Sequence, residues 1–203
     1  MQVGSNMIAK TAQIYPNVRL GKGICIESFC VIGAASKNSN GKVTAIGNNA
    51  LIRSHTVIYA GNRIGNNFQA GNGVNIREFN VIGNNVSIGT HSIIEHHVIM
   101  ESGVRIHSNV FVPEFTVLKK NSWLGPNVVI TNAKYPKHPQ AKKKLKGATV
   151  EENAKIGANS TLLPGVIIGK NSLVGAGSLV TKNIEPDSIY AGFPAKFLRK
   201  IDY

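Results

Sequence analysis

Acidic residues and aromatics are scarce in this 203-residue sequence, and cysteine is nearly absent. Ten Asp and Glu stand against 23 Lys and Arg for a net charge of +13, aromatics make up 6%, and the only cysteines are Cys25 and Cys30. Two cysteines cannot build a disulfide framework, which excludes the small bridged scaffolds and predicts reduced thiols. No apolar run approaches the roughly 20 residues that span a bilayer, and the N-terminus lacks a signal-peptide hydrophobic region, so a soluble, cytoplasmic protein with no membrane partner is expected. So few aromatics argue against a broad globular core. The excess of positive charge suits an anionic partner. The basic residues are scattered apart from Lys142, Lys143, Lys144 and Lys146, however, and no nucleic-acid motif accompanies them. Nucleic acid is therefore not expected as a partner, whereas a phosphorylated cofactor or nucleotide-linked substrate accounts for the sign of the charge.

What the sequence has is a period. Ile82, Ile88, Ile94, Met100, Ile106, Val112, Leu118, Leu124 and Ile130 recur every six residues without a slip, and the register extends back through Ile46 and forward from Val150 to Val180. An earlier block from Ile8 to Ile32 has the same spacing. A fixed six-residue period is neither a helix nor an ordinary strand; it predicts an all-β parallel β-helix in which three hexads make one coil. Four residues after most aliphatic positions stands a second small or apolar residue, such as Cys30, Val74, Val86, Val98, Val110 or Ser178. Both positions are expected to point inward. Three residues after the aliphatic position Asn or Gly dominates, as at Asn49, Asn85, Gly103 and Asn127, which predicts a corner with one residue at positive φ.

The 42% hydrophobic content is enough to fill one such prism, so residues 1–203 read as a single domain. Residues 1–7 look like a loose lead-in. Two segments break the count, at 35–45 and 133–149, and read as external loops; the second is long enough to be functional. A short C-terminal segment at 185–203 closes the chain.

Position within the hexad sorts the histidines. His55, His91 and His97 occupy the corner position where Asn and Gly otherwise stand, so each reads first as a turn residue. His107 takes a place usually held by Gly, and His138 lies in the long loop. His96 stands two after Ile94 with no turn to explain it. Residues 18 apart should sit on successive coils roughly 4.8 Å apart, which puts Glu78 below His96 and Glu114 above it. A carboxylate on one ring nitrogen fixes the tautomer and stabilises the imidazolium, as a general base requires. By the same count Phe79 and Phe115 flank His97, so that His97 is expected to be stacked.

These features resemble the left-handed β-helix acyltransferases, the hexapeptide-repeat family, over nearly the whole chain. The handedness is implied by that resemblance alone, since right-handed crossovers are the general rule. Leu163-Pro164-Gly165-Val166, the run from Val174 to Lys182, and Ala191-Gly192-Phe193-Pro194-Ala195-Lys196 look like the C-terminal coils and closing segment of acetyl-CoA-dependent members. The run from Trp123 to Asn132, followed by Tyr135-Pro136, is similar to the start of the long loop in bacterial nucleotide-sugar N-acetyltransferases. Ile94-Glu95-His96 resembles the catalytic-histidine hexad of acetyltransferases acting on amino sugars and sialic acids. The N-terminal nucleotide-binding domain carried by many of those proteins is absent from this sequence.

The resemblance implies an acetyl-CoA-dependent transferase acting on the amine, or else a hydroxyl, of a sugar carried on a nucleotide, and a homotrimer with no metal. His96 and Glu114 are then the catalytic pair, and Glu78, His97, His107, Asn132 and Tyr135 the substrate-binding candidates. An extended pantetheine arm would run about 16 Å up the stack. Gly157, Gly175, Ala176 and Ser178 could line it, and Lys182, Lys196 and Arg199 could meet the phosphates. Two other readings stay open. His55, His91 and His96 have spacings of 36 and five, similar to the zinc ligands of the γ-class carbonic anhydrases. A non-catalytic β-helix scaffold is the third.

Overall fold

The computed structural model describes residues 5–202, and there the hexads fold as the period predicts. Each coil places one strand of mostly two residues in each of three parallel sheets. The first sheet begins with Met7–Ile8 and Cys25–Ile26, the second with Gln13–Ile14 and Val31–Ala34, the third with Val18–Leu20 and Thr44–Ile46. Successive coils are in register at 18 residues: Ile76 pairs with Ile94, and Ile94 with Val112. The inward residues of the second sheet, Ile76, Ile94, Val112 and Ile130, are fully buried. Each buried aliphatic contributes about 1.5–3 kcal/mol. Between them the backbone ladder continues from Arg77 N–H to Ile94 O at 2.8 Å and from Glu95 N–H to Val112 O at 2.9 Å.

From Gly23 to Gly177 the regular corners carry the expected residue at positive φ, and the three edges of the prism fill it differently. Between the third and first sheets it is mainly asparagine, and the amides form a ladder: Asn49 donates to Asn67 at 3.2 Å, Asn67 to Asn85 at 2.9 Å, and farther up Asn153 to Asn171 at 3.0 Å and Asn171 to Asp187 at 2.7 Å. Between the second and third sheets the same place holds Phe79, His97 and Phe115, with φ of 63°, 58° and 65°. Bulky side chains are disfavoured in that conformation, so this edge trades backbone comfort for ring surface.

Both insertions leave from this same edge. One connects Val31–Ala34 to Thr44–Ile46, the other Val129–Ile130 to Thr149–Val150. The expected boundaries 35–45 and 133–149 run too far, because Thr44 and Thr149 already sit in the third sheet: Val18 pairs with Thr44, and Val117 with Thr149. Of the expected lead-in 1–7, residues 1–4 lie outside the described residues, and Met7 is paired with Cys25. The terminal segment is a hairpin. Ser188–Gly192 adds to the first sheet beside Leu173–Val174, and Ala195–Lys200 returns antiparallel to it; Tyr203 lies outside the described residues. No helix among the described residues is long and apolar enough to cross a membrane.

Candidate active site

At the edge between the second and third sheets, each inward aliphatic is followed by a four-residue turn. Ile76 leads into Arg77-Glu78-Phe79-Asn80, Ile94 into Glu95-His96-His97-Val98, and Val112 into Pro113-Glu114-Phe115-Thr116. The last residue of each turn is buried and the third is at positive φ, so the second side chain is thrown outward along the edge. Buried Asn80 fixes the histidine turn from the coil below: its Nδ2 donates to Arg77 O at 2.8 Å, and its Oδ1 accepts from Val98 N–H at 2.7 Å.

His96 and Glu114 meet as the count of 18 predicts, with Nε2 to Oε1 at 3.3 Å and side chains 29% and 22% exposed. Asn132, one coil higher, donates to the other carboxylate oxygen, Oε2, at 2.6 Å. The remaining ring nitrogen of His96, Nδ1, lies 2.8 Å from Nδ1 of His97. The His97 ring lies between Phe79 at 5.3 Å and Phe115 at 5.9 Å, tilted by 42° and 32° and so not in the parallel stack the count suggested, and it is also hydrogen-bonded to His96, which the sequence count did not foresee.

Glu78, the alternative partner for His96, turns away from it. Its carboxylate is 3% exposed and binds Arg77 Nε at 3.0 Å and the Ser36 hydroxyl at 2.9 Å. Burial pushes this carboxyl up, but the Arg77 and Ser36 hydrogen bonds outweigh it and hold it below the ordinary carboxylate value. Glu78 therefore anchors the first inserted loop. Arg77 continues to Glu95 Oε2 at 3.5 Å, and its guanidinium lies 5.3 Å from the centre of the Tyr59 ring. Glu95, His96 and Glu114 offer ligand atoms within 4.8 Å of one another, but a cation there would have to compete with Arg77 and Asn132 for its carboxylates.

The other candidates lie elsewhere. His55 and His91 are turn residues, at φ of 64° and 58°, on the edge between the first and second sheets, so His55, His91 and His96 are not assembled as a zinc triad. His107 is on that edge too, 4.8 Å from Trp123 and beside a cavity of about 640 Å³ lined also by Arg105 and Gln69. Burial, then Arg105, lowers its pKa. Tyr135 is 66% exposed in the long loop and, with His138 and Lys144, lines a cavity of about 480 Å³.

Gly157, Gly175, Ala176 and Ser178 stack on the edge between the first and second sheets, so the outer face of the second sheet separates them from His96. That face is largely apolar, with Ile93, Phe111, Val129 and Leu179 pointing out and Thr161 between the last two. Ser178 donates to Gly175 O at 2.6 Å and accepts from Gly192 N–H at 3.1 Å, pinning the terminal hairpin. Lys182 and Lys196 are exposed, and Arg199 pairs with Asp202 at 2.6 Å. Sequence reasoning passed over Asn80, although Asn62 and Asn80, 18 residues apart at inward positions, are a visible exception to the apolar rule.

Comparison with known proteins shows what the chain is similar to. Residues 147–182 match the family described as bacterial transferase hexapeptide (six repeats). By structure the chain is similar to the UDP-N-acetylglucosamine acyltransferase of Campylobacter jejuni, with a TM-score of 0.65 at 18% identity over 95% of this chain and 74% of that one. The fold is a left-handed β-helix built of hexapeptide repeats, and several of the proteins it matches are named as acyltransferases. Among them is the galactoside O-acetyltransferase of Lactococcus lactis, 49% identical over 83 residues, or 38% of this chain and 40% of that protein. A mutant of AntD, an N-acyltransferase from Bacillus cereus, in complex with dTDP-4-amino-4,6-dideoxyglucose and coenzyme A, has a TM-score of 0.53 at 20% identity, covering 66% of this chain and 83% of that one. The match to the Lactococcus enzyme spans less than half its length.

Proposed function

We propose that this protein is an acetyl-CoA-dependent acetyltransferase whose acceptor is the amino group of a nucleotide-linked sugar, working in the assembly of sugar polymers. The observation that carries the reading is the histidine held between Glu114 and His97 on an edge flanked by two inserted loops. An imidazole paired with a carboxylate can take the proton of an attacking amine or hydroxyl and bear the resulting charge. Neither cysteine is a credible nucleophile. Cys30 is buried, its thiol is pushed up by that burial and donates to Arg53 O at 3.1 Å, and Cys25 lies on another sheet, so the acceptor attacks the thioester directly.

The largely apolar outer face of the second sheet offers a path for the pantetheine arm between the His96 edge and the Gly175 edge, with Lys182, Lys196 and Arg199 near its upper end for the phosphates. Exposed Val81, Ile99 and Ile167 on the third sheet give a homotrimer an apolar surface to cover. Acetyl-CoA and nucleotide sugars place such an enzyme in the cytoplasm. The O-acetyltransferase name of the Lactococcus relative favours a hydroxyl acceptor as the second reading. Thiol release from acetyl-CoA, measured against a panel of amino-sugar nucleotides and simple galactosides, tests both. Acceptor-dependent release is expected. Its absence with every member of the panel counts against the proposal.

A further inference from the structure

The proton positions at the edge follow from which atoms can donate. Glu114, as a carboxylate, only accepts, and a ring lone pair held 3.3 Å from Oε1 would be repelled by it, which favours the tautomer of His96 with its hydrogen on Nε2. In neutral His96 this leaves Nδ1 as the lone pair. That atom lies 2.8 Å from Nδ1 of His97, so the His97 nitrogen must carry the hydrogen between them. The consequence is that both nitrogens of His96 face a neighbour, Glu114 at Nε2 and His97 at Nδ1, while Nε2 of the exposed His97 presents the free lone pair. The His97 ring is held in place by Phe79 and Phe115, and its backbone by the turn at φ 58°.

We infer that the base is a two-imidazole relay, in which His97 takes the acceptor's proton and passes its own to His96. This rests on the acetyltransferase reading above. As the acceptor nitrogen or oxygen bonds to the thioester carbonyl carbon, its proton goes to Nε2 of His97. The Nδ1 proton of His97 moves to Nδ1 of His96, and the imidazolium formed there is paired with Glu114. When the carbon–sulfur bond breaks, the transfers reverse and His97 Nε2 returns a proton to the departing thiolate. The acceptor's proton thus ends on the thiol of CoA, and both histidines regain their starting forms. His97 is the residue that touches the substrate, and His96 and Glu114 hold the charge behind it.

Nitrogen-15 spectra of the imidazoles in the full-length protein, without ligand and at neutral pH, read the arrangement directly. His96 is expected with its hydrogen on Nε2 and His97 with its hydrogen on Nδ1, the signals being assigned by their loss in His96→Asn and His97→Gly. A hydrogen on Nε2 of His97 overturns the relay. Turnover gives the second arm. His97→Phe keeps a ring between Phe79 and Phe115, and His97→Gly installs the residue that Gly61 and Gly165 place at the same turn of this edge. Both should lose roughly a hundredfold or more in turnover with the KM for acetyl-CoA unchanged, and added imidazole should restore part of the His97→Gly loss. Turnover of His97→Phe within severalfold of wild type overturns the relay. If wild-type protein acetylates no acceptor, the acetyltransferase reading fails, and the spectra alone still decide where the protons lie.

Discussion

Asn132 donates a 2.6 Å hydrogen bond to Oε2 of Glu114, which leaves Oε1 of the same carboxylate to face His96. Asn132 is the last residue of its turn before the long loop departs, so the base of that loop is joined to the charge that supports the imidazole. One side chain links the insertion to the proposed chemistry.

A graded series of variants follows from this chain. Glu114→Gln keeps the contacts and removes the charge, and it should lower turnover by about tenfold to a hundredfold, since hydrogen bonds to charged groups contribute roughly 1.5–3 kcal/mol. Asn132→Ala leaves the carboxylate charged but loose and should cost less. Steady-state kinetics that reverse this order would show Asn132 to be the more direct participant.

Asn80 couples stability to the site. Asn80→Ala leaves the buried Val98 N–H without its partner, while the Arg77 carbonyl keeps its second donor, Asn62 Nδ2 at 2.8 Å, and the loss should cost about 1–3 kcal/mol. For a chain of this size that is roughly 2–12 °C of melting temperature. Because the same contacts hold the His96-His97 turn, turnover at a temperature where the variant is fully folded should also fall. Calorimetry paired with kinetics checks both halves.

Acid should release the first loop. The folded Glu78 carboxyl lies below its ordinary value, so its contribution to stability is fully present above that unfolded value of about 4.3 and is lost as pH falls through the lower folded value. Glu78→Gln should therefore be less stable than wild type at neutral pH, and the difference should shrink in acid. A stability gap that stays constant from neutral to strongly acidic pH would rule out the ionised Glu78 anchor.

The long loop is removable without breaking the stack. Lys146 N–H bonds Asn132 O at 2.9 Å, so residues 133–145 depart and return at one point and a short Gly linker can replace them. The shortened protein should remain folded and, by light scattering, show the three times chain mass expected of the proposed homotrimer, with a raised KM for at least one substrate. Unchanged kinetics would show that the loop contributes nothing to binding.

The fold and the His96–Glu114 pair were legible because filling a narrow prism forces a residue type at every sixth place and a neighbour at every eighteenth. Glu78 was not, since its partner Ser36 sits in an insertion whose path has no period. The Nδ1 contact between His96 and His97 depends on ring rotation, which spacing does not encode. The split between the Gly175 edge and the His96 edge was available by counting around the coil once the long loop was taken out: Val117 pairs with Thr149, 32 residues on in place of 18.

Steady-state turnover of His96→Asn at neutral pH, with acetyl-CoA and the best acceptor found, tests the account most directly. Asn is close in size and can still hydrogen-bond, yet it cannot take the proton, so turnover should fall by about a hundredfold to ten-thousandfold with CoA affinity nearly unchanged. For an amine acceptor the defect should shrink as pH rises and solvent takes over deprotonation. Near wild-type turnover of His96→Asn at neutral pH would contradict the account and direct attention to His107 and its cavity.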